Sequence, residues 1–293
     1  MSRQKLGQHF LIKGSILERI AAAACPASNT GIPAGDLPHE DPRLGEATPI
    51  RSCAAAEPRA SASGVPIATN LDVQDLVIEI GPGRGALTEK LLKRAARVIA
   101  VEIDPYLAAH LRQRFAADPR LEVVEADVLS TDLAQWGPAA IAGNLPYYIT
   151  SPILEKTTQL PFTRAVFLIQ KEVAERLAAQ PGTREYGFLT VQTALFATVR
   201  RLFEVKPSAF HPPPKVDSAV VLLEPRHADL GIADTADFVR FIGLCFRHKR
   251  KTIRNCLVET YGKELIDAWP EAGLRAEQIP LEGFVRMYQR LPL

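Results

Sequence analysis

A doubly wound, mainly parallel α/β sheet with a small helical region at its C-terminal end is the fold this 293-residue sequence predicts, and three features predict it. Short continuous apolar runs recur along the middle of the chain, stretches with helical apolar spacing separate most of them, and strand signals stop beyond Glu224. Continuous rather than alternating apolar runs mark strands covered on both faces, and the helices between them supply the covering layers.

The elements follow in chain order. Ser15, with Glu18 three residues later, reads as a capping box ahead of Ile16, Leu17 and Ile20, so a first helix is expected to reach the alanines before Cys25. From Pro26 to Asn70 the chain has seven prolines, four glycines and no Phe, Tyr or Trp. Such a mixture buries too little apolar surface to offset its ordering entropy, and a disordered insertion over 26–70 is expected. Buried strands are then predicted at Leu76 to Ile80, Val98 to Val101, Leu121 to Val124, Ala139 to Ala142 and Ala165 to Ile169. Leu87 with Leu91 and Leu92, and Leu107 with Leu111, mark helices between them. A further helix is expected over Phe188 to Val199, then strands near Arg201 to Val205 and Ser218 to Leu223 around a proline-rich loop. Paired as an antiparallel hairpin, they bring the sheet to seven strands and set the loop Lys206 to Lys215 over the sheet edge that holds the glycine turn. Phe238, Phe241, Ile242 and Cys245 at helical spacing place a small helical domain over 226–293, with 1–225 as the larger domain.

Composition is that of an ordinary globular protein, 47% hydrophobic and 23% charged, with a net charge of only +2. The charge is unevenly placed: Arg240, Arg247, Lys249, Arg250, Lys251 and Arg254 share a stretch with no acidic residue. The N-terminal stretch has Arg3 and Lys5 but no long apolar core, so neither a signal peptide nor a membrane span is expected, and the cytoplasm is the expected compartment. Cys25, Cys53, Cys245 and Cys256 show no CxxC or Cys/His ligand spacing, and no HExxH pair occurs. A zinc site, a disulfide framework and metal-dependent hydrolysis are therefore not expected.

The chemistry concentrates at strand ends. Gly81, Gly83 and Ala86 in Glu79-Ile80-Gly81-Pro82-Gly83-Arg84-Gly85-Ala86 match a loose GxGxxA pattern, and Glu102 lies about twenty residues on, where a carboxylate grips ribose hydroxyls. This fingerprint suits NAD as well as S-adenosylmethionine, because both carry an adenosine. Asp127, closing the next strand, is placed to accept from the adenine amino group. A turn acid or helix cap is the plainer reading of an isolated Asp.

Asn144-Leu145-Pro146-Tyr147 follows the fourth apolar run and decides between the two cofactors, since hydride transfer has no use for an amide aimed at an amino group. An exocyclic amino nitrogen on a nucleobase is a poor nucleophile because its lone pair is delocalised into the ring. Asn144 offers a side-chain carbonyl oxygen and Leu145 a backbone one, held extended by Pro146, to favour a pyramidal nitrogen. Tyr147 offers a flat face for the base, worth about 1 to 3 kcal/mol per stacked base.

With these residues in place, the sequence resembles the small-subunit ribosomal RNA adenine dimethyltransferases. The resemblance runs through Gly7-Gln8-His9-Phe10-Leu11, the glycine turn with Glu102 and Asp127, Asn144-Leu145-Pro146-Tyr147, Gln170-Lys171-Glu172-Val173, Tyr186-Gly187, the block Pro207 to Val221 and Lys251-Thr252-Ile253-Arg254-Asn255. It implies a seven-stranded Rossmann-like methyltransferase sheet that binds S-adenosylmethionine through His9, Leu11, Gly81, Glu102, Asp127 and Asn144. His9 departs from the asparagine often found there, and its backbone is expected to make the same contact. The target adenine is expected to stack between Tyr147 and Phe210, which three following prolines hold on a stiff exposed loop. The implied substrate is a pair of adjacent adenosines in a hairpin loop near the 3′ end of 16S rRNA within the pre-30S particle, each receiving two methyl groups. Arg247, Lys249, Arg250, Lys251 and Arg254 are expected to position RNA through phosphates rather than bases. The enzyme is expected to act as a monomer, without metal, by direct in-line transfer. Two rival readings are a large-subunit rRNA methyltransferase of the macrolide-resistance type and a weakly catalytic RNA-binding assembly factor.

Overall fold

The computed structural model describes residues 9–26 and 76–292, so the expected insertion, Pro26 apart, and Cys53 lie outside the described residues. Nine strands occur in the described part: β1 (Phe10–Leu11), β2 (Leu76–Ile80), β3 (Arg97–Glu102), β4 (Leu121–Glu125), β5 (Ala139–Asn144), β6 (Phe162–Gln170), β7 (Ala197–Val205), β8 (Phe210–His211) and β9 (Ser218–Pro225). The helices there are α1 (Gly14–Ala24), α2 (Ala86–Leu91), α3 (Pro105–Arg114), α4 (Thr150–Thr158), α5 (Lys171–Leu177), α6 (Phe188–Phe196), α7 (Thr235–Phe246), α8 (Ile253–Tyr261), α9 (Lys263–Asp267) and α10 (Leu281–Tyr288). None of them is long and apolar enough to cross a membrane.

Seven strands form one sheet in the order β4-β3-β2-β5-β6-β9-β7. β2 through β6 run parallel, while β9 lies antiparallel to both β6 and β7. From β2 the chain winds outward to β3 and β4, then crosses back to place β5 on the other side of β2. That reversal opens a crevice at the carboxyl ends of β2 and β5, where sheets of this kind take ligands.

Alternation along each strand divides the core into two faces. Val77, Val98, Ala140, Ala142, Val166 and Leu168 pack with Leu17, Ile20, Leu87 and Leu91 of α1 and α2. Ile78, Ile80, Ile99, Ile141, Phe167 and Ile169 pack on the other side with Ile153, Leu154, Ala174 and Leu177 of α4 and α5. Each such side chain contributes about 1.5–3 kcal/mol on full burial. A third cluster joins α7, α8 and α10 around Phe238, Phe241, Phe284 and Trp269, with Val191 and Leu195 of α6.

Two local expectations are corrected. Ser15 and Glu18 form no capping box: α1 starts at Gly14 after Lys13, without a side-chain cap, and Glu18 instead pairs with Lys90 of α2 at 3.1 Å. The helix expected to reach Val199 stops at Phe196, because Ala197, Thr198 and Val199 pair with Pro225, Glu224 and Leu223. The β-branched Thr198 and Val199 suit the strand, and their pairing outweighs weak helical periodicity.

Candidate active site

The glycine turn leaves β2 with its first residue, Gly81, at φ +65° and anchored by its N–H to the Val101 carbonyl at 3.0 Å. Gly83, at φ +59°, passes so close to the Phe10 ring that a Cβ there would lie 3.0 Å from it. Only glycine adopts such backbone without strain in so little space. The Gly83 N–H donates to Glu102 Oε2 at 3.0 Å, and the Asp104 N–H donates to Glu102 Oε1 at 3.0 Å. Glu102 is buried, and burial pushes its carboxyl above the usual range against the pull of these two donors. Each oxygen keeps a further lone pair, the capacity needed to accept from a vicinal diol.

β5 ends in Asn144, at the opposite lip of the same crevice. Its Nδ2 donates to the His9 carbonyl at 2.9 Å. A carbonyl only accepts, so this bond settles which end of the amide is nitrogen and leaves Oδ1 as the acceptor for another group. His9 is held in turn by Nδ1 donating to the Pro212 carbonyl at 2.8 Å, and the next residues pair β1 with β8, Phe10 opposite His211 and Leu11 opposite Phe210. The N-terminal strand thus ties the proline-rich loop to Asn144, and the loop lies over the edge that the hairpin expectation gave it.

After Asn144 the chain turns rigidly: Leu145 N–H donates to the Leu168 carbonyl at 3.1 Å, and the Pro146 carbonyl accepts from Ile149 N–H at 3.2 Å and Thr150 Oγ1 at 3.1 Å. Tyr147 is half-buried, its hydroxyl 2.7 Å from Ser218 Oγ and its ring centroid 5.9 Å from that of His9. Burial raises the phenol above its ordinary value, which the Ser218 bond partly counters.

These groups line one cavity of about 410 Å³, within the range of small-molecule sites. His9, Leu11, Gly81, Glu102, Asp127, Asn144, Leu145 and Tyr147 all border it. Asp127 stands two residues past the end of β4 rather than closing it, and its Oδ1 accepts from the Leu129 N–H at 2.9 Å as a turn acid does. No group of three or more metal-ligating side chains occurs among the described residues. Cys25, Cys245 and Cys256 are buried, the last two as free thiols, and burial pushes the Cys245 thiol up.

Phe210 stands differently from the expectation of an exposed ring. It is 3% exposed, packed with Leu11, Val205 and Ala209, and it does not border the cavity, because its pairing with Leu11 turns it into the core. The basic stretch is also less uniform than its letters. Arg247, Arg250 and Lys251 are exposed, Lys249 Nζ donates to the Arg184 carbonyl at 3.2 Å, and Arg254 forms a two-pronged ion pair with Asp267. Several motifs prove to be fasteners: Tyr186 OH donates to the Ile279 carbonyl at 2.8 Å, and Thr252 caps α8.

Two residues at the site were passed over in the sequence. Ser218, fully buried, steadies Tyr147. Glu79 borders the cavity at 1% exposure, and its Oε2 has no hydrogen-bond partner among the described residues. Burial pushes its carboxyl up to about 8, an effect that Thr88 tempers and the nearby Glu102 charge adds to. The signal for Glu79 was a single acid inside the otherwise apolar run Leu76 to Ile80.

The model of the ribosomal RNA adenine dimethylase family matches residues 63–291. A ribosomal RNA small subunit methyltransferase A from Koribacter versatilis is 43% identical over 75% of this chain and 86% of its own, and one from Thermotoga maritima is 40% identical over 76% and 77%. Among solved structures, a dimethyladenosine transferase from Plasmodium falciparum superposes with a TM-score of 0.64 at 28% identity, covering 73% of this chain and 89% of the other. The 23S rRNA methyltransferase ErmE gives 0.60 at 32% identity over 74% and 90%.

Proposed function

This chain belongs to the ribosomal RNA adenine dimethylase family, and from that premise we propose that it transfers methyl groups from S-adenosylmethionine to the N6 amino groups of two adjacent adenosines near the 3′ end of 16S rRNA. The observation that supports the site most directly is the Asn144 amide, oriented by the His9 carbonyl so that Oδ1 is the free acceptor at the cavity rim. The residues fit the cofactor. Glu102 has lone pairs for the ribose diol, Asp127 keeps a second oxygen for adenine, Gly81 leaves backbone room, and Glu79 sets an unpartnered carboxyl oxygen beside the space. S-adenosylmethionine, when bound, supplies a methyl group activated by positively charged sulfur.

The chain's own part is orientation and polarisation. Asn144 Oδ1 and the Leu145 carbonyl accept from the target amino group and favour a pyramidal nitrogen, while the Tyr147 ring, held by Ser218, supports the base. Well-oriented reactants gain roughly 7–11 kcal/mol over free encounter, enough for attack without a covalent enzyme intermediate. Proton loss from the methylated nitrogen goes to water. An unpaired loop base costs less to present than a stacked duplex base. Phe210 joins the base stack only if β8 releases it from the core. Residues 1–225 hold the chemistry. The helices of 226–293 position the pre-30S particle, with Arg247, Arg250 and Lys251 as the free phosphate contacts and Lys249 and Arg254 engaged within the protein.

The likeness to ErmE favours one second reading, methylation of large-subunit RNA. Incubation with labelled cofactor and unmethylated small or large subunits, followed by primer extension, separates the two. Adjacent stops near the 3′ end of 16S rRNA are expected, and stops in 23S rRNA alone would overturn the assignment.

A further inference from the structure

Building on the cofactor reading above, we propose that Glu79 is the counter-ion for the cationic segment of S-adenosylmethionine, giving up a proton to solvent as the donor binds and so favouring the sulfonium over the thioether product. The sheet order places it there. Asp127, Glu102, the Glu79–Gly81 segment and Asn144 stand at the ends of β4, β3, β2 and β5, four neighbouring strands in that spatial order. Adjacent strands are about 4.8 Å apart, so the row spans roughly 14 Å from the adenine side to the methyl side. β2 lies between β3, which carries the ribose acid, and β5, which carries the methyl-facing amide, so a donor laid along this row would bring its positive charge over β2.

Among the described residues Glu79 makes no ion pair, and only Thr88 tempers its burial. It follows Val77 on the face packed by α1 and α2, it is 1% exposed, and its Oε2 finds no hydrogen-bond partner among the described residues. A buried ionised carboxylate without a partner is strongly disfavoured, whereas the neutral acid tolerates the site. Among the described residues, no permanent cation acts on it. β3 contributes Glu102, α2 contributes Leu87 and Thr88, α1 contributes Leu17 and Ile20, and β5 contributes Asn144. Around the rim stand Asp127, the exposed Arg84, which lies 5.2 Å over the Phe10 ring, and His9, engaged with Pro212. The ligand-free carboxyl, pushed up to about 8, is mainly protonated at pH 7. A cation beside it favours the charged form, and the proton leaves. Once the methyl group has moved, sulfur is neutral, the reason for charge on Glu79 weakens, and the carboxyl recovers a proton from solvent. Any interaction that ionises Glu79 more with donor than with product must, by linkage, bind donor more tightly.

The test is titration calorimetry at pH 7 in phosphate and in Tris, whose different ionisation enthalpies reveal protons released. The ligands are S-adenosylmethionine and S-adenosylhomocysteine, and the proteins are wild type, Glu79→Gln and Glu79→Asp. Wild type is expected to release a substantial fraction of a proton with the donor and less with the product. Glu79→Gln is expected to lose that release and roughly tenfold of donor affinity, with product affinity held within about threefold. Glu79→Asp is expected to keep the release. Equal release by wild type and Glu79→Gln, or equal losses for both ligands, would overturn the inference. Should the glutamine variant not fold, equal proton release with donor and product in wild type overturns it alone. No binding of the donor to wild type would overturn the cofactor assignment on which it rests.

Discussion

Replacing Glu79 by glutamine should remove a pH dependence of folding stability that the wild-type protein carries between about pH 4.5 and 8. In the folded, ligand-free protein the carboxyl keeps its proton up to about pH 8, while in the unfolded chain it releases it near the ordinary value of 4.5. Between those limits the folded state binds more protons, so stability falls as pH rises. The contribution is fully present below pH 4.5, is lost progressively above it, and levels off beyond pH 8. At about 1.4 kcal/mol per pH unit, the loss across the window is on the order of 4–5 kcal/mol. That is a large share of the roughly 5–15 kcal/mol that holds a typical domain folded. Glutamine is neutral throughout and nearly isosteric, so Glu79→Gln should gain on wild type by about 1.4 kcal/mol per unit as pH is raised. Urea unfolding of both proteins at about pH 5 to 8 reads the difference directly, since all other titrating groups are shared. Saturating S-adenosylmethionine should shrink the slope of wild type. Parallel stability profiles for the two ligand-free proteins would show that Glu79 is already ionised, and would refute the reasoning.

Tyr147→Phe keeps the ring but gives up the hydrogen bond to Ser218, a loss of about 0.5–1.5 kcal/mol that should slow methylation modestly, whereas Tyr147→Ala also loses stacking worth about 1–3 kcal/mol. Equal single-turnover rates for the two variants would dismiss the ring as a support for the base. Arg247→Ala, Arg250→Ala and Lys251→Ala should each weaken RNA binding and lower the salt slope by about 1, measured by filter binding across salt concentrations. Arg254→Ala, which breaks an exposed ion pair with Asp267, should leave the salt slope unchanged and the urea midpoint nearly so. A salt slope that falls as far for Arg254→Ala as for Arg247→Ala would contradict this division of labour.

Much of the sheet was legible because its central strands are buried on both faces and therefore written as continuous apolar runs. Leu76 to Ile80 was read to the residue, and the other predicted strands overlapped their observed counterparts. The glycine turn and Asn144-Leu145-Pro146-Tyr147 were equally visible, since each couples an unusual backbone to chemistry at a strand end. What escaped depends on contacts distant in sequence. Pairing of Leu11 with Phe210 turns that aromatic inward, against the exposure suggested by its proline neighbours. Arg254 meets Asp267, and Lys249 meets the Arg184 carbonyl, so a run of basic letters overstates the free positive charge. The Ser15–Glu18 signal failed because Glu18 has a better partner in Lys90. Glu79 was hidden by its own strand: the apolar run announces a buried position, but not that the position opens onto a cavity.

The most direct test of the account is the single-turnover rate of Asn144→Ala on unmethylated small subunits at saturating S-adenosylmethionine, with cofactor affinity measured separately. An oriented acceptor at the reacting nitrogen predicts a rate lowered by roughly 10²–10³, the usual effect of removing one preorganised polar group, with cofactor affinity changed by only a few-fold. A rate close to wild type would contradict the claim that the Asn144 oxygen, fixed by the His9 carbonyl, prepares the adenine amino group for methyl transfer.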